Sequence, residues 1–306
     1  MNLKGKKGVD ISAINGDVDI KKIKAAGYDF VMIRCGYGSD IKDQDDTQYE
    51  NNVRKCEAIG MPWGAYLYSY ALNIEEAKSE ARHALRLLNG KKPTLPLAFD
   101  MEDADGYKAR NGMPSNKTLV NICKTFLSTT SRAGYYSTLY ASLSWLNNQL
   151  NDKSLLDNYD IWCAQWSTQC DFKGKKLGMW QYGGEINYLE SNSIPGVGVI
   201  DKNKAFKDYP AVIKKGGWNG WPKEKILDSQ GYKKGQKSDG ILAIKELLLI
   251  AKSKGIIKSG MDENGSFGNG TEKAVNEVLK IGGYKQNGIA GDNFIKYLTK
   301  LIKERI

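Results

Sequence analysis

Between residues 7 and 205, short runs of apolar, β-branched and aromatic residues alternate with stretches of helical periodicity. Runs at 8–11, 30–35, 64–70, 95–101, 135–141, 160–166, 177–182 and 197–201 predict eight strands. Helical pattern fills the gaps after the first five, as at 20–26, 48–59 and 117–132, whereas the gaps among the last three are short or rich in turn residues. Alternating strands and helices imply a parallel sheet. Strands that are apolar almost throughout are buried on both faces. The closure this predicts is an α/β fold, an irregular (β/α) TIM-like barrel whose last strands lack regular helices.

The pattern breaks after Tyr209-Pro210, at Lys214-Lys215-Gly216-Gly217-Trp218-Asn219-Gly220-Trp221-Pro222, which reads as a linker whose two tryptophans pack on a domain. Three apolar stripes of helical spacing come next: Ile241, Ile244, Leu248 and Ala251; Ala274, Val275, Val278 and Leu279; Ile295, Leu298 and Ile302. The expected organisation is a barrel over 1–210, a linker over 211–225 and a small all-α three-helix domain over 226–306.

Charge and composition narrow the chemistry. The longest apolar run, 241–251, is interrupted by Lys245 and Glu246, short of the roughly 18 residues a membrane-spanning helix needs, so no membrane insertion is expected. The first residues lead directly into a strand-like run without a hydrophobic signal core, which predicts synthesis in the cytoplasm without an export signal. Five cysteines, none in a Cys-x-x-Cys pair, argue against a disulfide scaffold or a structural zinc site. The one histidine, His83, lies in the charged amphipathic stretch 74–88 and reads as a helix-surface residue. An enzyme built on this chain therefore needs carboxylates as its acid and base. Up to Pro222 there are 29 basic and 25 acidic side chains (+4), and beyond it 16 and 10 (+6). This excess suggests an anionic partner. No nucleic-acid signature accompanies it, and bacterial wall polymers fit the charge equally well.

In Leu95-Pro96-Leu97-Ala98-Phe99-Asp100-Met101-Glu102, residues two apart on a strand share a face. Asp100 and Glu102 thus project together at the C-terminal end of a barrel strand, where such folds build their sites. Asp10 ends the first strand and Asp201 the last, and in a closed barrel these two strands are neighbours. Taken singly, Asp10 or Asp201 reads as a cap or turn residue. Together the four acids raise one another's pKa, as a general acid near neutral pH requires, and an ionised partner can stabilise an oxocarbenium-like transition state. A Mg²⁺ or Ca²⁺ site is the alternative, but no phosphate-cradling glycine loop accompanies the acids, so no metal or cofactor is expected. Tyr66, Tyr68, Tyr70, Tyr140, Trp166, Trp180 and Tyr182 gather at the same strand ends, as sugar-stacking rings or as core. Arg34 binds a carboxylate of the site or substrate, or braces the mouth through an ion pair.

The ordered set Gly8-Val9-Asp10-Ile11-Ser12, Ile33-Arg34-Cys35-Gly36-Tyr37-Gly38, Gly64-Ala65-Tyr66-Leu67-Tyr68, Phe99-Asp100-Met101-Glu102, Tyr140-Ala141, Ala164-Gln165-Trp166, Trp180-Gln181-Tyr182 and Val199-Ile200-Asp201 resembles the glycoside hydrolase family 25 lysozymes over residues 5 to about 208. The resemblance implies cleavage of the β-1,4 bond between N-acetylmuramic acid and N-acetylglucosamine in peptidoglycan. It also implies Glu102 as the acid, with Asp10, Asp100 and Asp201 lining the site and Gln181 joining the substrate-binding candidates. Asp100 would act as a nucleophile or orient the sugar's acetamido group. The C-terminal stretch Gly265-Ser266-Phe267-Gly268-Asn269-Gly270-Thr271-Glu272-Lys273-Ala274-Val275 is similar to a three-helix peptidoglycan-binding domain, with Thr271 as helix cap. It departs from that pattern at Asn276-Glu277, where a Phe-Gln pair is usual. Asp262-x-Asn264-x-Ser266 resembles a Ca²⁺ loop without its downstream Glu. The expectation is an endolysin acting on bacterial peptidoglycan and its anionic wall polymers after release. A hydrolase of chitin and a non-enzymatic wall-binding protein are the rivals. Nothing in the sequence speaks to oligomeric state.

Overall fold

Eight strands close into a barrel in the computed structural model, which describes residues 2–304. They are β1 (Lys7–Ile11), β2 (Phe30–Tyr37), β3 (Trp63–Tyr68), β4 (Leu97–Asp100), β5 (Ser137–Ser142), β6 (Asp160–Ala164), β7 (Leu177–Gly183) and, after a small hairpin of β8 (Ser193–Ile194) and β9 (Gly198–Val199), β10 (Asp201–Ala205). Around the barrel the order is β1-β10-β7-β6-β5-β4-β3-β2. All neighbours are parallel except β10, which runs antiparallel to both β1 and β7. The last strand is therefore displaced from its expected position at 197–201 and reversed. No helix lies between β7 and β10, and a parallel return needs a long crossover, so the chain folds back antiparallel.

Helices α1 (Ile20–Ala25), α2 (Tyr49–Ala58), α3 (Ile74–Leu88), α4 (Tyr107–Arg110), α5 (Asn116–Arg132), α6 (Leu143–Asn147) and α7 (Lys153–Leu156) occupy the connections. Outward-facing strand residues such as Val9, Ile33, Leu67, Phe99 and Leu139 join Ala81, Leu88, Ile122 and Phe126 of α3 and α5 in the main core. The alternate residues point inward: Phe30, Met32, Ala98, Trp162 and Met179 fill the lumen in a second cluster with Leu3, Leu95, Tyr209 and Ile213.

Much of the stretch expected as linker belongs to the barrel. The two compact units divide between Lys223 and Glu224, and α8 (Tyr209–Gly216) buries Ile213 completely. The helix ends on Gly217 in the left-handed conformation. Beyond it, buried Asn219 donates from Nδ2 to the carbonyls of Pro93 (3.0 Å) and Leu95 (2.9 Å), and its Oδ1 accepts from the amide of Tyr136. Trp221 Nε1 donates to the Lys92 carbonyl.

His83 also departs from expectation. It is fully buried on the inner face of α3, with Nδ1 3.1 Å from the Gly38 carbonyl and Nε2 2.9 Å from Asp45 Oδ1. A Cβ at Gly36 would stand 2.7 Å from the imidazole, so the β2 backbone passes close only because that residue is glycine.

The second unit has its own core of Ile241, Leu248, Val275, Leu279, Phe294 and Leu298, from α9 (Asp239–Ser253), α10 (Asn269–Ile281) and α11 (Asp292–Lys303). Thr271 lies inside the first turn of α10, whose cap is Gly268. The Asp262–Ser266 loop is organised around an ammonium: buried Lys245 Nζ donates to the Asn264 carbonyl (2.7 Å) and to Asp262 Oδ1. A side-chain cation held from α9 organises this loop, whose likeness to a Ca²⁺ loop lacks the downstream Glu.

Candidate active site

The barrel mouth opens into a cavity of about 540 Å³ lined by all four acids, Asp10, Asp100, Glu102 and Asp201, with Arg34, Tyr66, Tyr68, Tyr140 and Gln181 among the walls. Asp10 and Asp201 meet because β1 and β10 pair them in register. Asp201 begins its strand instead of ending one. In an antiparallel strand the starting end lies at the mouth, so the reversal of β10 is what delivers this acid. Asp100 ends β4, and Glu102 lies just beyond it.

Asp10 is nearly buried, and its Oδ2 accepts from Asn203 Nδ2 (2.7 Å) and Gln181 Nε2 (3.1 Å). Both donors are themselves held. Gln181 Oε1 accepts from the Tyr140 hydroxyl (3.0 Å) and Trp166 Nε1 (3.1 Å), and Asn203 Oδ1 accepts from Trp162 Nε1 (2.8 Å). Burial pushes the Asp10 carboxyl up to about 6 against the pull of its two amide donors. Asp201 has no such donors among the described residues. Burial, and after it the charges of Asp10, Glu102 and Glu185, pushes it up to about 8.

The Asp100 and Glu102 carboxyls are close enough to act on each other's ionisation, and Asp100 Oδ1 is buried with no hydrogen-bond partner among the described residues. Burial raises both, and the charge of Glu102 raises Asp100 further. Two neighbouring buried acids cannot both ionise cheaply, so each holds its proton more tightly than a free carboxyl does. Asp100 is 4% exposed while Glu102 is only partly buried, so Glu102 is the member better placed to hand a proton to a ligand.

Arg34 lines the cavity, and its Nε donates to Asp46 Oδ2 at 2.7 Å, the ion pair expected as a brace of the mouth. The Tyr68 hydroxyl is buried with no partner among the described residues. Tyr70 lies past the end of β3, bonded to Asp105, and lines an adjoining groove of about 390 Å³ that shares Ile14, Arg34 and Tyr68 with the cavity. Trp166 stands at the rim, 37% exposed. A Cβ at Gly184 would come within 2.1 Å of Asp201 Oδ1 and 2.6 Å of the Trp166 ring, so only glycine fits between them.

Trp180 and Tyr182 do not line the cavity. Gln181 faces the lumen, and the pleat turns its two neighbours outward. Trp180 Nε1 donates to the Gln165 carbonyl and the Tyr182 hydroxyl to Glu190. Sequence reasoning missed Asn203, Trp162, Ser12, Asn15 and Glu185 among the residues on or behind the walls. Asn203 was within reach, being two residues from Asp201 and hence on its face. Among the described residues, no group of three or more His, Cys, Asp or Glu side chains is arranged to hold a metal ion.

Residues 9–190 match the family model for glycosyl hydrolases family 25. The chain is 24% identical to the autolytic lysozyme of Clostridium acetobutylicum over 289 residues, 94% of this chain and 76% of that protein. Among solved structures, the modular autolysin LytC of Streptococcus pneumoniae, in complex with a synthetic peptidoglycan ligand, is similar with a TM-score of 0.57 and 26% identity. That match covers 65% of this chain and 46% of LytC, so the chain spans about half the length of that autolysin. A family 25 glycosyl hydrolase from Bacillus anthracis shares the fold at a TM-score of 0.54 and 19% identity, over 72% of this chain and 95% of its own.

Proposed function

The chain belongs to glycosyl hydrolase family 25, and from that premise we propose that its barrel is an N-acetylmuramidase, cleaving the β-1,4 bond between N-acetylmuramic acid and N-acetylglucosamine in bacterial peptidoglycan, with Glu102 as the general acid. The observation that carries this is the gathering of Asp100 and Glu102, both raised by burial, with Asp10 and Asp201 on the walls of one cavity.

Glu102 gives its proton to the glycosidic oxygen as the bond from that oxygen to C1 breaks. The acetamido oxygen of the same sugar adds to C1, and buried Asp100 orients and polarises that group. Water then attacks C1, returning its proton to Glu102 and opening the ring that the acetamido group had formed. The burial of Asp100 favours this route, because it raises the carboxyl and so weakens it as a nucleophile while leaving it able to orient the acetamido group. Asp10, fixed by Asn203 and Gln181, places negative charge beside the developing oxocarbenium ion. Tyr66, Tyr68 and Tyr140 offer rings and hydroxyls to the sugar.

The second unit acts as a wall-binding module, its excess of positive charge suited to the anionic polymers of the bacterial wall. The enzyme works as an endolysin on that wall, without nucleic acid or membrane insertion.

Mass spectrometry of digested walls tests the bond assignment, with N-acetylmuramic acid expected at every new reducing end. N-acetylglucosamine there, or equal release from chitin, overturns it. Glu102→Gln is expected to lower the rate by about 10² to 10⁴ while leaving wall binding intact. Lysis near the parent rate removes Glu102 from the acid role.

A further inference from the structure

Resting on the reading of Glu102 as the acid, we propose that Lys108 is a positioning residue that fixes Glu102 and sets how many protons the Asp100–Glu102 pair holds. Lys108 lies on α4, six residues after the acid, and is 1% exposed. An ammonium is almost never so buried unless its charge is matched. Its Nζ donates to the Glu102 carbonyl at 2.7 Å and to the Ser69 carbonyl, so one cation ties the chain leaving β4 to the chain leaving β3. Asp103 aims it: this carboxylate accepts from the amides of Lys108 (2.7 Å) and Ala109 (3.0 Å), folding the chain back beneath Glu102.

The ammonium faces acids from each element around it. From α3, fully buried Glu80 accepts from Ser69 Oγ (2.8 Å) and the Tyr70 amide (2.7 Å) and acts on Lys108 through its charge. Asp100 does so from β4, and Asp103 and Asp105 from the loop. The Cys123 thiol on α5 and the Tyr68 ring, 5.9 Å from Nζ, are its neutral neighbours.

Glu80, Asp100 and Glu102 thus share a single buried ammonium. One positive charge, which Asp103 and Asp105 also face, cannot offset all of these carboxylates, and the buried ones favour their protons. Burial lifts Glu80 to about 7 against the pull of Lys108, and it raises Asp100 and Glu102 as well. Neither Lys108 nor Glu80 lines the cavity, so their effect on a ligand passes through Glu102 and Asp100.

Lys108→Met keeps the aliphatic stem and removes the charge. With intact walls as substrate, kcat is expected to fall about tenfold to a hundredfold while KM changes less than about twofold. Loss of a nearby cation makes every carboxyl hold its proton more tightly, so both limbs of the pH profile move up by about one unit. Should Lys108→Met fold poorly, the double variant Lys108→Met/Glu80→Gln, which removes a fully buried carboxylate together with the ammonium, is expected to fold and to show the same displacement. A folded variant with lowered kcat and an unmoved profile makes Lys108 merely structural and overturns the proposal. Parent-level lysis by Glu102→Gln overturns the acid assignment and this proposal together. An inactive Glu102→Gln beside an unmoved Lys108 profile overturns this one alone.

Discussion

Asp10 and Asp201 sit opposite one another in the antiparallel pairing of β1 and β10, the only reversed strand of the barrel among the described residues. Burial lifts the Asp10 carboxyl to about 6, and burial followed by the charges of Asp10, Glu102 and Glu185 lifts Asp201 to about 8, from an ordinary value of 3.8. An acid whose folded pKa is raised stabilises the fold below its unfolded pKa and loses that contribution as pH rises through the folded value. The loss therefore develops between about pH 4 and pH 8.

Asp201→Asn removes the larger part of it. The variant is expected to match the parent near pH 4 and to exceed it by about 1–2 kcal/mol above pH 8, a gain of several degrees in Tm, while wall hydrolysis drops. Melting curves at the two pH values check this. Identical curves at pH 8.5 would mean that Asp201 ionises in the native protein without cost.

Asn203→Leu tests the donor side of the same pair. It removes the 2.7 Å bond that favours ionised Asp10 and leaves Trp162 Nε1 without its acceptor. The Asp10 pKa rises further, so the acidic limb of the kcat profile is expected to shift to higher pH. A loss of about tenfold in kcat, near one hydrogen bond's worth, accompanies it. An unchanged acidic limb would separate Asp10 from that ionisation.

The barrel was legible where its strands are apolar on both faces, as in Phe30 to Cys35 and Leu97 to Phe99, and the acids were legible because they interrupt such runs. β10 was not, because Asp201-Lys202-Asn203-Lys204-Ala205 carries almost no apolar residue. Its inward face is the polar site wall, and Lys202 is buried with its ammonium on the Ser191 carbonyl. The neighbouring Val197 to Ile200 took its place in the pattern. His83 misled for a different reason: its partners, Gly38 and Asp45, come from a loop some 40 residues away, and no helical periodicity reports them. Lys108 was hidden in the same way, in a polar run that reads as solvated loop.

His83→Leu separates stability from catalysis. Both imidazole nitrogens lie against oxygen acceptors in a dry interior, and removing the ring strands the Gly38 carbonyl and takes a partner from Asp45. The expected cost is about 2–3 kcal/mol in urea unfolding, with kcat unchanged at temperatures where the variant is folded. A catalytic loss at full folding would tie this face of α3 to the site.

Two truncations distinguish the barrel's own closure from the second unit. Ending the chain after Lys223 keeps α8, Trp218, Asn219 and Trp221. The remaining barrel is expected to fold, to hydrolyse soluble wall fragments at the parent rate, and to lose co-sedimentation with intact walls. Ending it after Pro210 instead strips away Ile213, whose burial contributes about 1.5–3 kcal/mol, and the three hydrogen bonds of the Asn219 side chain at about 0.5–1.5 kcal/mol each. It also uncovers Leu95 and Tyr209 beneath the lumen. The sum is a large share of a typical domain's stability, so the shorter chain should melt at least about 10 °C lower. If both truncations melt alike, residues 211–223 are not part of the barrel's core. If the longer one still sediments with walls, the second unit is not what holds the enzyme there.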